Sequence, residues 1–479
     1  MILVNDVGEV EEFLRETFGR DVIFGEAVRR FYSIDAQPIR GLPPRAVVFP
    51  RRIDQIQKLL RFATERKVPI YIRGGGTSLA GGPIPLMEDS IVMSLYRMNR
   101  IIELRKRDFQ IRVEAGVIMD ELNIYLKPYG LFFPIDPGSS AACTIGGAIA
   151  NNSGGVRGVK YGNIKDGWVL SVKAVLPNGS IIETGSNTFK AAAGYDLTHL
   201  FIGSEGTLGV IVEATLKVAP IPKYKSVAKA FFGDEREAAE FVVEILHMGL
   251  DPSAVEFLDR DTLKAISIYS GLKVEGNAML LIEFSGNTRD EVERRMNILV
   301  ERLRERGAIS ISWSKTEEEY KKIWMIRKAA APSLGNLKPK YLILDPTVPI
   351  SKIPDIVEVC RKVARKYGVQ IATFGHAGDG NVHPNVLYDP RSEEEFEKAK
   401  KAAREIALET IKLGGTVSGE HGIGLEKIDT YAVEAGEEKL RLMWEIKKLF
   451  DPAGILNPWK FFPPEYWKEL WPNVLLYST

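Results

Sequence analysis

Apolar positions change their period along the chain, and the changes mark out elements. Between residues 54 and 66, Ile56, Leu59, Leu60 and Ala63 recur at helical spacing. Short apolar runs at 45–50 and 68–73 flank this segment, and the pattern predicts a strand at each. A strand–helix–strand unit suits an α/β layer. From about 165 to 218 the pattern changes to short strands with turns. Strands are expected at 169–176 and 180–184, joined by a turn at Pro177-Asn178-Gly179. The stretch 219–225 (APIPKYK) reads as a linker. Beyond it, amphipathic helices are predicted at 235–250, 289–306 and 392–413, the last ended by Gly414-Gly415, with strands at 274–284 and 308–313. From Leu449 onward Pro452, Pro458, Pro463, Pro464 and Pro472 argue against long regular elements.

Composition narrows the class. A chain of 479 residues is long enough for two or three domains with ample cores. Lys plus Arg (64) nearly equals Asp plus Glu (63), so the basic excess of a nucleic-acid binder is missing and no nucleic-acid partner is expected. Two cysteines, Cys143 and Cys360, exclude a disulfide framework and a cluster held by four thiolates. The acidic start, residues 1–12, lacks the basic and apolar regions of a signal peptide, and no apolar run reaches the ~18 residues of a membrane span. The expectation is a reduced, soluble, cytoplasmic enzyme.

Glycine is concentrated: 14 of the 43 glycines lie between Gly138 and Gly209. Another five, Gly74, Gly75, Gly76, Gly81 and Gly82, fall in the run R-G-G-G-T-S-L-A-G-G from Arg73 to Gly82. A strand that ends in consecutive glycines can turn several backbone N–H groups toward one anion, the geometry that cradles a pyrophosphate. Two further glycine-rich stretches run from Asp136 to Gly155 and from Gly194 to Gly209. There is no phosphate-loop signature of the ATPase kind. The spaced glycine pairs Gly74/Gly76, Gly378/Gly380 and Gly422/Gly424 are followed by Leu79, His383 and Lys427 where a dinucleotide fingerprint wants its third glycine.

A second set of chemistry-bearing residues lies late in the chain. F-G-H-A-G-D-G-N-V-H-P-N runs from Phe374 to Asn385, and S-G-E-H-G-I-G from Ser418 to Gly424. Three of the five histidines, His376, His383 and His421, sit in these two short stretches. The seven-residue gap between His376 and His383 suits converging strands or a strand and a loop, not one helix face. Two histidines and a carboxylate form a common catalytic metal set; the spacing alone equally allows a hydrogen-bonded turn cluster. His199 reads as structural and His247 as a helix-surface or packing residue.

The three glycine stretches, in this order, resemble those of the FAD-linked oxidase family with a vanillyl-alcohol-oxidase-type (PCMH) flavin domain. Within it the chain is most similar to the group of D-lactate dehydrogenases, glycolate oxidase catalytic subunits and D-2-hydroxyglutarate dehydrogenases. The resemblance spans about 46–460. It implies an α+β architecture: a two-part FAD-binding domain at 1–222, an α+β substrate or cap domain with an antiparallel sheet at 223–448, and a closing segment at 449–479 that returns to the flavin domain. It assigns the FAD pyrophosphate to the loop of Arg73, Gly74, Gly75, Gly76, Thr77 and Ser78. Further FAD contacts are implied at Pro137, Gly138, Ser140, Thr144, Gly147, Asn151, Gly154 and Gly155, at Glu205, Gly206, Thr207 and Ile211, and at Asn457. Members that bind FAD covalently often carry a histidine where Thr77 stands, so non-covalent FAD is expected. Cys143 is a conceivable alternative link.

By the same resemblance His376, His383 and Glu420 bind a divalent metal (Zn²⁺, Mn²⁺ or Fe²⁺). His421 is the base, Arg327 in W-M-I-R-K grips the substrate carboxylate, and Asn385 lies near the substrate. Hydroxyglutarate-type members place a lysine for a second carboxylate where this chain has Ile343; Lys338 and Lys340 are out of register. The closing G-I-L-N-P-W-K has Trp459 where the family has glycine. The implied activity is oxidation of a small D-2-hydroxy acid, D-lactate or glycolate. Its electrons would pass to an external acceptor: a quinone, a cytochrome, a flavoprotein or an iron–sulfur subunit. Alternatives are a hydroxyglutarate dehydrogenase, an O₂-using oxidase, and a flavin-binding scaffold in a hetero-complex; a homo-oligomer is also open. The aromatic tail (Trp467, Trp471, Tyr477) either packs on its own domain or docks a partner or membrane face.

Overall fold

The computed structural model describes residues 7–37, 39–472 and 474. The chain divides into two compact units. The first takes in the described residues of Met1–Ser153, Asn163–Pro220 and Glu420–Thr479; the second is Gly154–Gly162 with Ile221–Gly419. The divisions differ from the 222/223 and 448/449 expected above, for two local reasons. The short piece Gly154–Gly162 is tied into the second unit by Arg157 on Glu283 (3.3 Å) and Lys160 on Asp251 (2.8 Å). The first unit resumes at Glu420, because the backbone there is held by Asn151 and Glu205 of that unit.

The first unit contains two main sheets. The smaller has the order Val22–Ile23, Ala46–Val48, Ile91–Ser94, Ile70–Arg73, with the last three strands parallel. Helix Ile53–Arg66 covers it, burying the predicted Ile56, Leu59, Leu60 and Ala63 completely. Helix Val7–Phe18 adds Val10, Leu14 and Phe18 to the same core, and Phe13 stacks on Phe62 at 4.0 Å. The second sheet is antiparallel, in the order Ile101–Arg105, Gln110–Glu114, Val210–Lys217, Val169–Val175, Ile181–Glu183. Its last hairpin turns at the predicted Pro177-Asn178-Gly179, with Gly179 at φ +78°. The expected linker is shorter than 219–225. Ala219–Pro220 pairs with Leu131–Phe132, and Tyr224 already opens a strand of the second unit.

The second unit is built on one seven-stranded antiparallel sheet in the order Ser310–Trp313, Tyr224–Phe232, Ala278–Gly286, Ala254–Asp259, Gln370–His376, Asn381–Tyr388, Lys340–Ile343. Both faces are buried. Val255, Phe257, Leu280 and Ile282 face a core with helices Glu235–His247, Arg289–Glu305, Ile353–Tyr367 and Glu393–Lys412. Ala254, Leu258, Met279, Leu281, Ala372 and Phe374 face the other way, against helices Arg260–Ser270 and Glu317–Ser333. Double-sided burial explains why the strand Ala278–Gly286 (AMLLIEFSG) is a continuous apolar run rather than an alternating one.

The closing segment of the first unit forms helix Ile428–Phe450, interrupted at Gly436, and the short helix Pro464–Leu470. Trp467 and Trp471 are buried within this unit, and their indole N–H groups donate to the carbonyls of Lys460 (3.1 Å) and Gly454 (3.0 Å). These two tail tryptophans therefore pack on their own unit rather than offering a docking surface; Tyr477 lies outside the described residues. No helix among the described residues is long and apolar enough to cross a membrane.

Candidate active site

In the first unit, strand Ile70–Arg73 runs into Gly74, Gly75 and Gly76 against the loop that starts helix Ile145–Asn151. A Cβ on Gly74 would stand 2.4 Å from Thr144 Oγ1, and one on Gly75 1.9 Å from the carbonyl oxygen of Ala142. Gly76 has φ +71°. The first two expected flavin stretches are thus in contact, and only glycine permits it. Among the described residues the N–H groups of Gly75, Gly76 and Thr77 donate to no protein acceptor. Three adjacent amides at a glycine turn are the donors a pyrophosphate accepts, so this cradle fits FAD. Thr144 caps the helix by accepting from Gly147 N (3.2 Å). The buried Arg73 guanidinium donates to the carbonyl of Ile34 (2.6 Å) and lies over the Tyr32 ring, supporting the loop from behind. Ser78 likewise closes its own turn, accepting from Ala80 N and Gly82 N. Burial pushes the Cys143 thiol up to about 11, against hydrogen bonds from Thr77 and Ser139.

The third stretch joins the other two. Glu205 N donates to the carbonyl of Ala150 (2.8 Å), and its own carbonyl accepts from Asn457 Nδ2 (2.5 Å). Asn457 Oδ1 accepts from Ile72 N (2.9 Å), so one amide staples the Glu205 turn to the cradle strand. Both ends of that amide are engaged by backbone. Glu205 and Asn151 hold the segment carrying Glu420 and His421. Glu205 accepts from Ile423 N (2.6 Å) and Gly424 N (2.8 Å), and Asn151 Nδ2 donates to the Glu420 carbonyl (2.6 Å). Burial raises the Glu205 carboxyl above its usual range, opposed by those N–H groups and by Lys427 and Lys460. His421 Nε2 lies 3.8 Å from Glu420 Oε1. Pro137 and Ser140 form a turn (Ser140 N to Pro137 O, 2.9 Å) beside the exposed Gly138. Gly206 is at φ +70°, Thr207 hydrogen-bonds its own turn through Ser204 O, and Ile211 is a buried strand residue opposite Ala174. Gly154 and Gly155 belong to the second unit. Trp459, at φ +64°, occupies a left-handed position that explains the glycine of the family motif. It is buried, with its ring 6.4 Å from that of Trp467.

In the second unit, strands Gln370–His376 and Asn381–Tyr388 pair with Phe374 opposite His383 and His376 opposite Asn381. That register sends His376 and His383 to the same face, their rings 5.2 Å apart and nearly perpendicular. The next strand brings Glu256 to this face. Glu256 is fully buried and accepts from His376 Nδ1 at 2.6 Å through Oε1 and from Arg327 Nε through Oε2. Burial pushes the Glu256 carboxyl up, but His376 and Arg327 outweigh it and hold it below the usual range. Arg327 comes from helix Glu317–Ser333 and lies 4.8 Å above the Phe374 ring. Its terminal NH₂ groups have no protein partner among the described residues, leaving a fork for a ligand carboxylate. Asp345, on the segment after strand Lys340–Ile343, is 3.7 Å from His383 Nδ1 and is held by Asn381 Nδ2 (2.9 Å) and Ser418 Oγ (2.8 Å). Two imidazoles with a buried carboxylate at hand are a donor set that suits a divalent metal. Glu420 is the residue after Gly419, whose N–H donates to the Asp345 carbonyl (3.1 Å). Asn385 is completely buried and its Nδ2 donates to the carbonyls of His383 (2.7 Å) and Ala372 (3.1 Å); it braces the strand pair.

Sequence reasoning missed Glu256 and Asp345. Glu256 stands in a six-residue strand with no motif around it. Asp345 was visible only as an acidic residue in an apolar run. His199 bonds Asp196 (2.6 Å) and the Lys165 carbonyl, and His247 Nδ1–H donates to the Val243 carbonyl of its own helix (2.8 Å). Lys338 is committed to Glu395 (2.9 Å), and Ile343 pairs with Asn385.

Comparison with known proteins agrees with both halves. Residues 44–185 match an FAD binding domain, and residues 221–461 match the C-terminal domain of FAD linked oxidases. The chain belongs to the FAD-linked oxidase family and is an FAD-dependent oxidoreductase. A glycolate oxidase subunit, GlcD, of Bacillus subtilis is 41% identical over 446 residues, 93% of this chain and 94% of that protein. A D-lactate dehydrogenase of Archaeoglobus fulgidus is 37% identical over 439 residues, 90% and 95% of the two chains. The fold is also that of 4-ethylphenol oxidase from Gulosibacter chungangensis (TM-score 0.76, 17% identity, 97% of this chain and 99% of that one). p-Cresol methylhydroxylase is similar in the same way (TM-score 0.75, 19% identity, 95% and 97%).

The cradle gives a direct prediction. Gly75→Ala has to displace the Ala142 carbonyl, since its Cβ would lie 1.9 Å away. The purified variant should keep wild-type circular dichroism and carry well under one FAD per chain. Full flavin content would show that this glycine turn is not the FAD cradle.

Proposed function

We propose that the protein oxidises a small D-2-hydroxy monocarboxylic acid, D-lactate or glycolate, to its 2-oxo acid, with non-covalent FAD and an external electron acceptor. The observation that carries the reading is the cluster in the second unit: Arg327, with a terminal fork left for a carboxylate, shares Glu256 with His376, whose ring neighbours His383. Relatives named for glycolate and D-lactate support it. A second substrate carboxylate finds no cation in register. Lys338 is held by Glu395, and the position of the expected lysine is Ile343. Burying an unpaired carboxylate would cost several kcal/mol.

When bound, FAD supplies the hydride acceptor, and a divalent metal held by His376, His383 and Glu420 lowers the pKa of the substrate hydroxyl. The chain's own residues do the rest. Arg327 grips the substrate carboxylate bidentately and fixes the orientation of the reacting carbon. His421 takes the hydroxyl proton on an imidazole nitrogen. The Glu205 and Asn151 contacts fix the backbone that carries His421. Non-covalent attachment follows from two features: the Thr77 hydroxyl is a poor nucleophile, and the Cys143 thiol, pushed up to about 11, stays protonated at neutral pH. Two cysteines cannot supply the four thiolates of an iron–sulfur cluster, which supports a separate electron acceptor. A quinone, a cytochrome, another flavoprotein and an iron–sulfur subunit all fit that role.

Acid precipitation of the holoenzyme should leave the yellow colour in the supernatant; colour in the pellet would mean a covalent link. In anaerobic mixing, glycolate and D-lactate should bleach the flavin, and with an artificial acceptor dye their kcat/KM should lie well above those of L-lactate and D-2-hydroxyglutarate. A preference for hydroxyglutarate would require another cation in the site, and a preference for L-lactate would overturn the stereochemical assignment. Dialysis against a strong chelator should abolish turnover until a divalent metal is restored, and His421→Ala should slow flavin reduction by ~10²–10⁴-fold while retaining FAD. Turnover that survives chelation would remove the metal from the mechanism, and loss of FAD in the variant would make His421 structural.

A further inference from the structure

Glu256 is an acid placed where acids are expensive: on the middle strand of a sheet buried on both faces, with no exposed side-chain surface. Its two oxygens serve different partners. Oε1 meets His376 Nδ1 at 2.6 Å, and Oε2 meets Arg327 Nε. Both partners arrive from separate elements, His376 from the end of strand Gln370–His376 and Arg327 from helix Glu317–Ser333. An ionised carboxylate only accepts hydrogen bonds. His376 must therefore carry its proton on Nδ1, which makes Nε2 the nitrogen with the lone pair. Arg327 is held through Nε, so its terminal nitrogens are the end of the fork with no protein partner among the described residues.

We propose that Glu256 is a positioning residue that sets two functional groups at once, fixing the tautomer and orientation of His376 as a metal ligand and the direction of the Arg327 fork toward the substrate carboxylate. This rests on the metal and carboxylate assignments made above. A histidine ligand that donates its other N–H to a carboxylate is held in one rotation and made more basic, and losing such a partner typically costs 10–100-fold in metal affinity. One carboxylate serving both groups also ties the distance between metal and anchor to a single rigid strand.

The sharp variant is Glu256→Gln. An amide offers one oxygen and one NH₂ group, while His376 Nδ1–H and Arg327 Nε–H are both donors. The NH₂ either faces Arg327 Nε–H, donor against donor, or faces His376 Nδ1, which then opposes it as a donor or moves its proton to Nε2 and gives up the lone pair a metal needs. Holoenzyme of each variant is stripped with chelator, and Mn²⁺ and Zn²⁺ binding is measured by equilibrium dialysis, alongside FAD content and kcat and KM for glycolate. Expected for Glu256→Gln is unchanged FAD content with metal affinity lowered 10–100-fold, KM raised at least tenfold, or both. In a His376→Ala background the same substitution should change metal affinity less than twofold, because its effect on the metal runs through His376. Glu256→Asp keeps the buried charge but withdraws it by one methylene. It should fold and show the same losses, and it decides the question if Glu256→Gln does not fold. Wild-type metal affinity together with wild-type KM in the foldable variants would overturn the proposal, as would a full additional loss of metal affinity in the His376→Ala background. Failure of the underlying assignment looks different: the wild-type protein would then bind no metal, or His376→Ala would bind it as well as wild type, before any change at Glu256.

Discussion

A sheet buried on both faces admits a charge only where a partner charge meets it. That constraint organises the second unit. Glu256, Asp259 and Glu283 are all fully buried on adjacent strands. Each is met by an arginine. Asp259, on the face of the four-helix layer, takes Arg361 of helix Ile353–Tyr367 at 2.6 Å. Glu283, on the opposite face, takes Arg157, Tyr320 (2.5 Å) and Trp324 (3.0 Å). Glu256, on that same face, takes Arg327 and His376. Removing one partner from such a pair is strongly destabilising, because the other charge stays buried. The acids thereby fix how the covering helices sit on the sheet. At Glu256 the same requirement yields an arginine and a histidine held in fixed orientation, the preorganisation that catalysis needs.

The first unit solves a different problem. A dinucleotide brings two phosphates that need donors without bulk. Backbone amides at the end of a strand suit that task, and the glycines there matter for what they omit. Gly74 and Gly75 let that strand end press against the Thr144 loop, and no side chain would fit between them. The third flavin-family stretch and the C-terminal segment are drawn to the same strand by Asn457, whose one amide bonds Ile72 and Glu205. Glu205 in turn fixes the backbone beyond His421.

Much of the fold was legible in the sequence. Helix Ile53–Arg66 and the hairpin through Pro177-Asn178-Gly179 followed from period and turn chemistry, because both bury one face against a local partner. Helix Glu317–Ser333 was not read, although it opens with a capping box of Thr316 and Glu319. It buries few side chains, so its apolar stripe is faint. The unit boundary near Glu420 escaped for another reason. Nothing in the local composition changes there; the division is made by hydrogen bonds from Asn151 and Glu205, each more than 200 positions away along the chain.

The sequence by itself determined the family, the glycine turn suited to a pyrophosphate and the two histidine runs proposed for the reacting centre, because these depend on short runs whose chemistry is local: consecutive glycines for close approach, histidines at fixed separation. Only the tertiary structure decided which side chains those residues lean on. Glu256 is 120 positions from His376 and 71 from Arg327, and no pattern along the chain links them. Sheet register placed Glu256 opposite His376, helix packing delivered Arg327, and the cost of an unpaired buried charge required the three to meet.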